Sequence, residues 1–235
     1  MDKLYIVMPA YNEEENIREV VKNWYACLEG KDEGSRLVVA DSGSSDLTHK
    51  YLKSMQRELP QLEILTDTQK QHGPKLMALY RYAIEQGADY IFQTDSDGQT
   101  LPQEFPAFWD ARGKYDLVLA NRSVRGDGKA RAFVEKVVCL LLKLYFGVRL
   151  QDANAPFRLM KAEVLEKYLD RLPDDYNIPN IMFTTYFAYY KEKMKFMEIT
   201  FRPRKAGKNS INFGRIFAIG WKALGDFHRF KKEMH

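Results

Sequence analysis

The sequence predicts an α/β fold with a mainly parallel sheet, and three observations carry that expectation. Short apolar, β-rich runs alternate four times with stretches of helical spacing through the first half of the chain. The connections between them are short, as they are in sheets built by right-handed crossovers. Three of the strand runs end in polar clusters, Pro9–Asn12, Asp41–Asp46 and Asp95–Gln99. In open α/β sheets the ligand sits beyond the carboxyl ends of the strands, so these clusters should converge on one crevice.

The elements follow in order. Leu4–Met8 reads as a buried strand stopped by Pro9. A helix should follow, with Ile17, Val20, Val21, Trp24, Tyr25 and Leu28 on one face. Asn12 is its expected cap, and Glu13, Glu14 and Glu15 suit the positive end of that helix. Leu37–Ala40 is a second strand, Thr48–Leu59 a helix and Leu62–Thr66 a third strand. Pro74–Gln86 is a helix closed by Gly87, and Tyr90–Thr94 is a fourth strand running straight into Asp95.

Beyond a further strand at Leu117–Asn121 the regular alternation stops. Arg122–Lys129 and Gln151–Arg158 read as loops, and Phe133–Val148 as a strongly apolar helix. Pro179–Lys193 should be helical, Glu198–Phe201 a strand, Arg202–Asn209 a basic loop and Ile216–Phe230 an amphipathic helix. With no repeat or linker, residues 1–235 are expected to form a single domain with an embellished C-terminal half.

The bulk numbers narrow the function. The chain has 235 residues, enough for one sizeable core, and a net charge of +4. That sum hides a contrast: residues 1–121 carry 13 Lys+Arg against 20 Asp+Glu, while residues 122–235 carry 23 against 12. The second half should attract an anion such as a phosphate or an acidic lipid surface. The basic residues are not interleaved with aromatics, so no nucleic-acid partner is expected. Two cysteines, Cys27 and Cys139, form no disulfide or zinc pattern, and a cytoplasmic setting is expected. No signal peptide and no uncharged run long enough to span a bilayer are apparent, so any membrane contact should be peripheral. Gly-x-Gly-x-x-Gly and P-loop patterns are absent, which argues against dinucleotide and P-loop chemistry.

Asp95-Ser96-Asp97-Gly98-Gln99 is the sharpest chemical feature. Two carboxylates one residue apart at a strand end can both reach a hard cation that shares its shell with substrate phosphates. The same stretch also fits an acidic turn, or the Asp-nucleophile loop of haloacid-dehalogenase-type phosphatases. In the second cluster, Asp41 could accept hydrogen bonds from a base or ribose, while Ser45 or Asp46 could cap a helix.

Taken together, these clusters resemble the family 2 glycosyltransferases. Val7-Met8-Pro9-Ala10-Tyr11-Asn12-Glu13-Glu14 resembles the family's opening. Val39-Ala40-Asp41-Ser42-Gly43-Ser44-Ser45-Asp46 resembles its Asp-Asp-Gly-Ser-x-Asp motif, read with Ala40 in place of the first Asp. His72-Gly73-Pro74-Lys75 resembles its Gly-Lys helix start, and Thr94–Gln99 its Asp-x-Asp metal motif. The second half looks like the dolichyl- or polyprenyl-phosphate sugar transferase branch. Ala120-Asn121-Arg122 sits where that branch has Gly-Ser-Arg, and Gln151–Arg158 resembles its Asp-x-x-x-Gly-Phe-Arg segment with Pro156 replacing Gly. Ile199–Arg204 with Gly207–Ser210 resembles its basic phosphate loop.

The resemblance implies a GT-A, Rossmann-like fold with helices on both faces, a nucleotide-sugar and metal half (1–121) and an acceptor half (122–235). It implies an inverting hexosyltransferase using a UDP-sugar, or GDP-mannose as second choice, and a polyprenyl phosphate or a lipid-linked or polysaccharide glycan of the cell envelope as acceptor. Pro9, Tyr11, Glu13, Asp41, Lys75, Asp95 and Ser96 would bind the donor. Asp95, Asp97 and Gln99 would hold Mg²⁺ or Mn²⁺, with Asp97 also counted as catalytic. Arg122, Arg131, Arg158, Arg202, Arg204 and Lys208 would bind donor or acceptor phosphate. Asp152 is the candidate base or acceptor-orienting residue, with a structural pairing to Arg158 as its alternative. Phe133–Val148 is open to two readings, a buried helix or one lying on the inner face of a membrane with Lys136 and Lys143 toward headgroups. A catalytically degenerate nucleotide-sugar-binding module is the non-enzyme alternative.

Overall fold

The structure, a computed structural model, describes residues 1–125, 129–204 and 225–232, with side chains outside 123–131. Seven strands form one sheet in the order β3-β2-β1-β4-β6-β5-β7. They are β1 (Leu4–Ala10), β2 (Arg36–Asp41), β3 (Leu62–Leu65), β4 (Tyr90–Thr94), β5 (Leu117–Arg125), β6 (Phe157–Lys161) and β7 (Met194–Phe201). β1 pairs in parallel with β2 and β4, and β2 with β3. β6 runs antiparallel to both β4 and β5, and β5 pairs in parallel with β7. All strands except β6 therefore point the same way, and their carboxyl ends share one edge.

The central strands are buried on both faces. β1 is buried along its whole length, as its unbroken apolar run requires. Adjacent residues of β4 show how the two faces are filled, because side chains alternate along a strand. Phe92 meets Trp24 of α1 (Ile17–Tyr25) at 5.3 Å and Phe105 of α4 (Phe105–Ala111) at 4.9 Å. Its neighbour Gln93 turns to the opposite face, where it bonds Tyr80 of α3 (His72–Glu85) and Asn180 of α7 (Pro179–Tyr189). Helices thus cover both faces, as expected. The remaining helices are α2 (Thr48–Gln56), α5 (Lys129–Phe146) and α6 (Ala162–Leu169), and residues 225–232 are also helical.

Several local expectations need correction. β6 and α6 were not foreseen. β6 lies where a loop was read as far as Arg158, and its antiparallel run inserts between β4 and β5. Asn12 does not cap α1, which starts only at Ile17. It adopts a left-handed conformation (φ 54°), and its Oδ1 accepts the Ser45 N–H at 2.8 Å, tying the first strand-end loop to the second. Lys208 and most of the Ile216–Phe230 helix lie outside the described residues, as does the side chain of Arg131.

Candidate active site

The β4 loop is built first by its glycine. Gly98 has φ +71°, a conformation that L side chains avoid, and this folds Asp97 back so that its Oδ1 accepts the Gln99 N–H at 3.1 Å. Ser96 Oγ donates to the Pro9 carbonyl at 2.9 Å and pins the loop to the end of β1. Asp95 lies half-buried, with His72 Nε2 3.3 Å from its Oδ1. Burial, and then the charge of Asp95, push the Asp97 carboxyl up to about 6. Two carboxylates are thus held together against their mutual repulsion at the carboxyl end of a buried strand.

This arrangement fits a divalent cation. Among the described residues no cluster of three or more His, Cys, Asp or Glu closes a metal cage. Mg²⁺ and Mn²⁺ commonly take one or two carboxylates and complete the shell with phosphate and water, so two suffice. Gln99 is positioned by other means. Its Nε2 donates to the Arg202 carbonyl at 2.7 Å, and its own carbonyl accepts the Arg202 N–H at 2.9 Å. Gln99 thereby joins the β4 loop to the end of β7, with its side-chain oxygen left as the atom that could face a cation.

The ends of β1 and β2 add the second wall. Asp41 is buried, with Ser44 Oγ at 2.5 Å on one oxygen and His49 Nδ1 at 3.0 Å on the other. Asp46 takes the Thr48 N–H at 2.9 Å at the start of α2, so the capping falls to Asp46 and not to Asp41. Counting back from Gly43-Ser44-Ser45-Asp46 puts the motif's two Asp positions at 41 and 42, which corrects the earlier reading. Ala40 is a fully buried strand residue paired with Pro9, and the departure from the motif is Ser42. Ser42 Oγ donates to the Thr66 carbonyl at 2.8 Å and lies 2.6 Å from Thr68 Oγ1. It fastens the loop after β3.

Lys75 lies beneath this wall. Its ammonium donates to the Ala10 carbonyl and sits 5.5 Å from the Tyr11 ring centre, with Lys70 at 4.6 Å from the same ring. Burial brings the Lys75 ammonium down to about 8, against the nearby charge of Asp41. Gly73 allows α3 to start here. A Cβ at this position would lie 2.3 Å from the Tyr176 carbonyl oxygen. Glu13 is only 4% exposed; burial pushes its carboxyl up to about 7, against hydrogen bonds from Asn16 and Arg204. Arg204 pairs with Glu13 and lies near enough to Asp97 to act on its charge.

The residues expected on the acceptor side divide. Arg122, at the irregularity in β5 between Asn121 and Val124, grips Asp152 through two hydrogen bonds of 2.7 and 2.9 Å and sits 5.1 Å from the Phe201 ring centre. Asp152 also accepts the Asn154 N–H at 3.1 Å. Its bidentate partner is therefore Arg122, while Arg158 feels its charge. Glu135 of α5, unassigned by the sequence, completes this group: its Oε1 accepts the Ala153 N–H at 2.7 Å and its Oε2 lies 3.8 Å from Arg122. Arg158 does not reach the crevice, contrary to expectation. It is fully buried and donates to the carbonyls of Ala153, Ala155 and Asn180 and to Thr184 Oγ1. A long guanidinium in the core can satisfy several carbonyls that no strand partner reaches. Arg202 is exposed at the crevice edge.

His49, His72, Glu135 and Ser42 were the site residues that sequence reasoning missed. His72 stood inside a quoted motif, and Glu135 is the only acid in an otherwise apolar or basic helix, a signal that could have marked it.

Known proteins bear on this geometry. The chain is 25% identical over 222 residues to an undecaprenyl-phosphate mannosyltransferase of Micrococcus luteus, covering 91% of this chain and 89% of that one. It is 24% identical over 168 residues to an undecaprenyl-phosphate 4-deoxy-4-formamido-L-arabinose transferase of Salmonella paratyphi A, spanning 71% of this chain but about half (51%) of that relative's length. Its fold matches glucosyl-3-phosphoglycerate synthase of Mycobacterium tuberculosis crystallised with Mn²⁺, UDP-glucose and phosphoglyceric acid. That match has a TM-score of 0.71 and 18% identity, and covers 97% of this chain and 80% of that one. The same enzyme with Mg²⁺ and UDP matches with a TM-score of 0.70. The family model for glycosyl transferase family 2 matches residues 5–169, most of the sheet and the whole β4 loop, and the chain belongs to that family of glycosyltransferases.

Proposed function

We propose that this glycosyltransferase moves a sugar, with inversion, from a nucleoside diphosphate sugar to a polyprenyl phosphate at a bilayer surface, with a divalent cation in the β4 loop. The carrying observation is the convergence of Asp41, Tyr11, Asp95 and Asp97 at the carboxyl ends of three adjacent parallel strands. The names of the relatives support the acceptor class, and the Mn²⁺ and Mg²⁺ complexes of the structural neighbour support the cation. A UDP-sugar is the favoured donor, with GDP-mannose second.

Asp95 and Asp97 hold the cation, which when bound offsets the charge gathering on the leaving diphosphate. Asp41 and Tyr11 seat the nucleoside. The acceptor phosphate oxygen forms the new bond to the anomeric carbon as the bond to the donor diphosphate breaks, and the electron pair leaves with the nucleoside diphosphate. A phosphate acceptor is already anionic, so positioning matters more than a general base, and positioning can be worth about 7–11 kcal/mol. Asp152 suits that task because both its oxygens hold Arg122, leaving the guanidinium fixed at the crevice rim. Arg202 and Arg204 supply further cations at the same edge. The phosphatase reading of Asp95–Gln99 has no support in the family to which the chain belongs.

Calorimetric titration with UDP, GDP, UDP-glucose and GDP-mannose, each with Mn²⁺ and with excess chelator, tests the donor site. Metal-dependent binding of one nucleotide is expected. Binding without transfer to a short-chain polyprenyl phosphate would leave a degenerate module, and no binding at all would overturn the proposal.

A further inference from the structure

α5 carries a feature that the donor chemistry does not use. Phe133, Val137, Leu140 and Leu144 are 68%, 38%, 54% and 69% exposed. They are spaced four, three and four residues apart, which places them on one face of the helix. Exposed Lys136 and Lys143, seven residues apart, run along one flank of that stripe. The helix's one acid, Glu135, is turned inward onto Ala153 and Arg122, so no negative charge interrupts the face. The opposite side of α5 is held in place by buried Leu142 and Phe146, the latter packed on Phe227 of the 225–232 helix at 5.7 Å. Beside this far end lies a basic cavity of about 310 Å³ lined by Tyr145, His228, Lys231 and Lys232. No helix among the described residues is long and apolar enough to cross a membrane.

A helix packed along one side, with an exposed apolar stripe and a basic flank, has the make-up of an in-plane membrane contact. Such helices bury their apolar face at the headgroup boundary and draw affinity from anionic lipid. From these observations, and resting on the proposed lipid acceptor, we infer that α5 docks this protein on an anionic lipid surface through Phe133, Val137, Leu140 and Leu144. Lys136 and Lys143 take the headgroup charge. The docking helix is also wired to the acceptor side of the crevice. Glu135 fixes the backbone at Ala153, next to Asp152, and lies against Arg122. The distance along the helix from Glu135 to Phe146 is about 16 Å, at 1.5 Å per residue. Docking therefore sets the Arg122–Asp152 pair at a fixed height above the headgroups, where an acceptor phosphate anchored by its lipid tail is confined.

The test is co-sedimentation of the full chain with vesicles of phosphatidylglycerol and phosphatidylcholine, and with phosphatidylcholine alone. The intact protein is expected to bind the anionic vesicles, and to lose binding as salt rises. The double substitution Leu140→Glu with Leu144→Glu should lower the bound fraction about tenfold or more. It should leave Tm and metal-dependent nucleotide binding unchanged. Lys136→Gln with Lys143→Gln should weaken binding and flatten its salt dependence. Failure of the intact chain to bind either vesicle, or undiminished binding by the Leu140/Leu144 variant, overturns the inference. So does a fall in Tm of that variant, which would show the face covered by the chain itself, or a dimer in sedimentation that the variant dissolves. Loss of nucleotide binding by the intact protein would instead sink the proposed transfer while leaving the vesicle result readable on its own.

Discussion

The proposed donor side and the proposed acceptor side of the crevice both rely on charged side chains, yet only the first was placed by the sequence where the structure puts it. Asp41 ends β2, and Asp95 and Asp97 follow directly on β4, so a short side chain has nowhere to go but the sheet edge. The acceptor side rests on arginines, whose reach lets distant packing choose their partner. Arg122 is taken by Asp152, Arg204 by Glu13, and Arg158 by carbonyls of the core. A carboxylate at a strand end is read from its position, whereas a guanidinium has to be read from what surrounds it.

Substitutions can break this comparison. Asp97→Ala should have the largest effect, removing metal-dependent nucleotide binding and lowering transfer by roughly 100-fold or more. The metal-free fold should remain, since Asp97 is held there against Asp95. Turnover assays and calorimetry read both outcomes, and retained metal-dependent binding would move the cation elsewhere.

Arg158→Met should act in the opposite sense. Leaving several buried carbonyls without donors should cost about 3 kcal/mol or more in denaturant unfolding. Arg202→Met, at the exposed edge, should stay within about 0.5 kcal/mol. Equal losses from the two would erase the distinction drawn here between a core arginine and a rim arginine.

Gly73→Ala should cost about 1–3 kcal/mol through overpacking against the backbone of Tyr176 and Asn177. A variant as stable as the parent would mean that α3 can start elsewhere.

The smallest expected effect is a pH trend. Glu13 and Asp97 are raised from 4.5 to about 7 and from 3.8 to about 6. Between those limits the folded protein holds protons that the unfolded chain has released, so stability of the metal-free fold should fall as pH rises from about 5 to about 7. Mn²⁺ with UDP should reverse the slope, because the cation needs the deprotonated carboxylate. Thermal melts across this range decide the matter, and a metal-free Tm that climbs with pH would contradict the burial of these two acids.

The sequence by itself determined the parallel half of the sheet and the three loops that meet at its edge. Period-two and helical spacing, proline and glycine stops, and acids set directly after apolar strands are local signals, and local signals survive in one dimension. It did not determine β6, because an antiparallel strand fed from a polar loop carries no crossover pattern and is defined only by pairing with β4 and β5. That Ser42 is the departure from the motif follows from counting back from Gly43 in the sequence, and the sheet register adds only that Ala40 pairs with Pro9. Tertiary structure alone decided that Glu135 ties α5 to Ala153 and Arg122 and that four apolar residues of α5 face outward. Those outcomes depend on which neighbours a helix finds, and helical spacing gives the faces of a helix without saying which one the rest of the chain will cover.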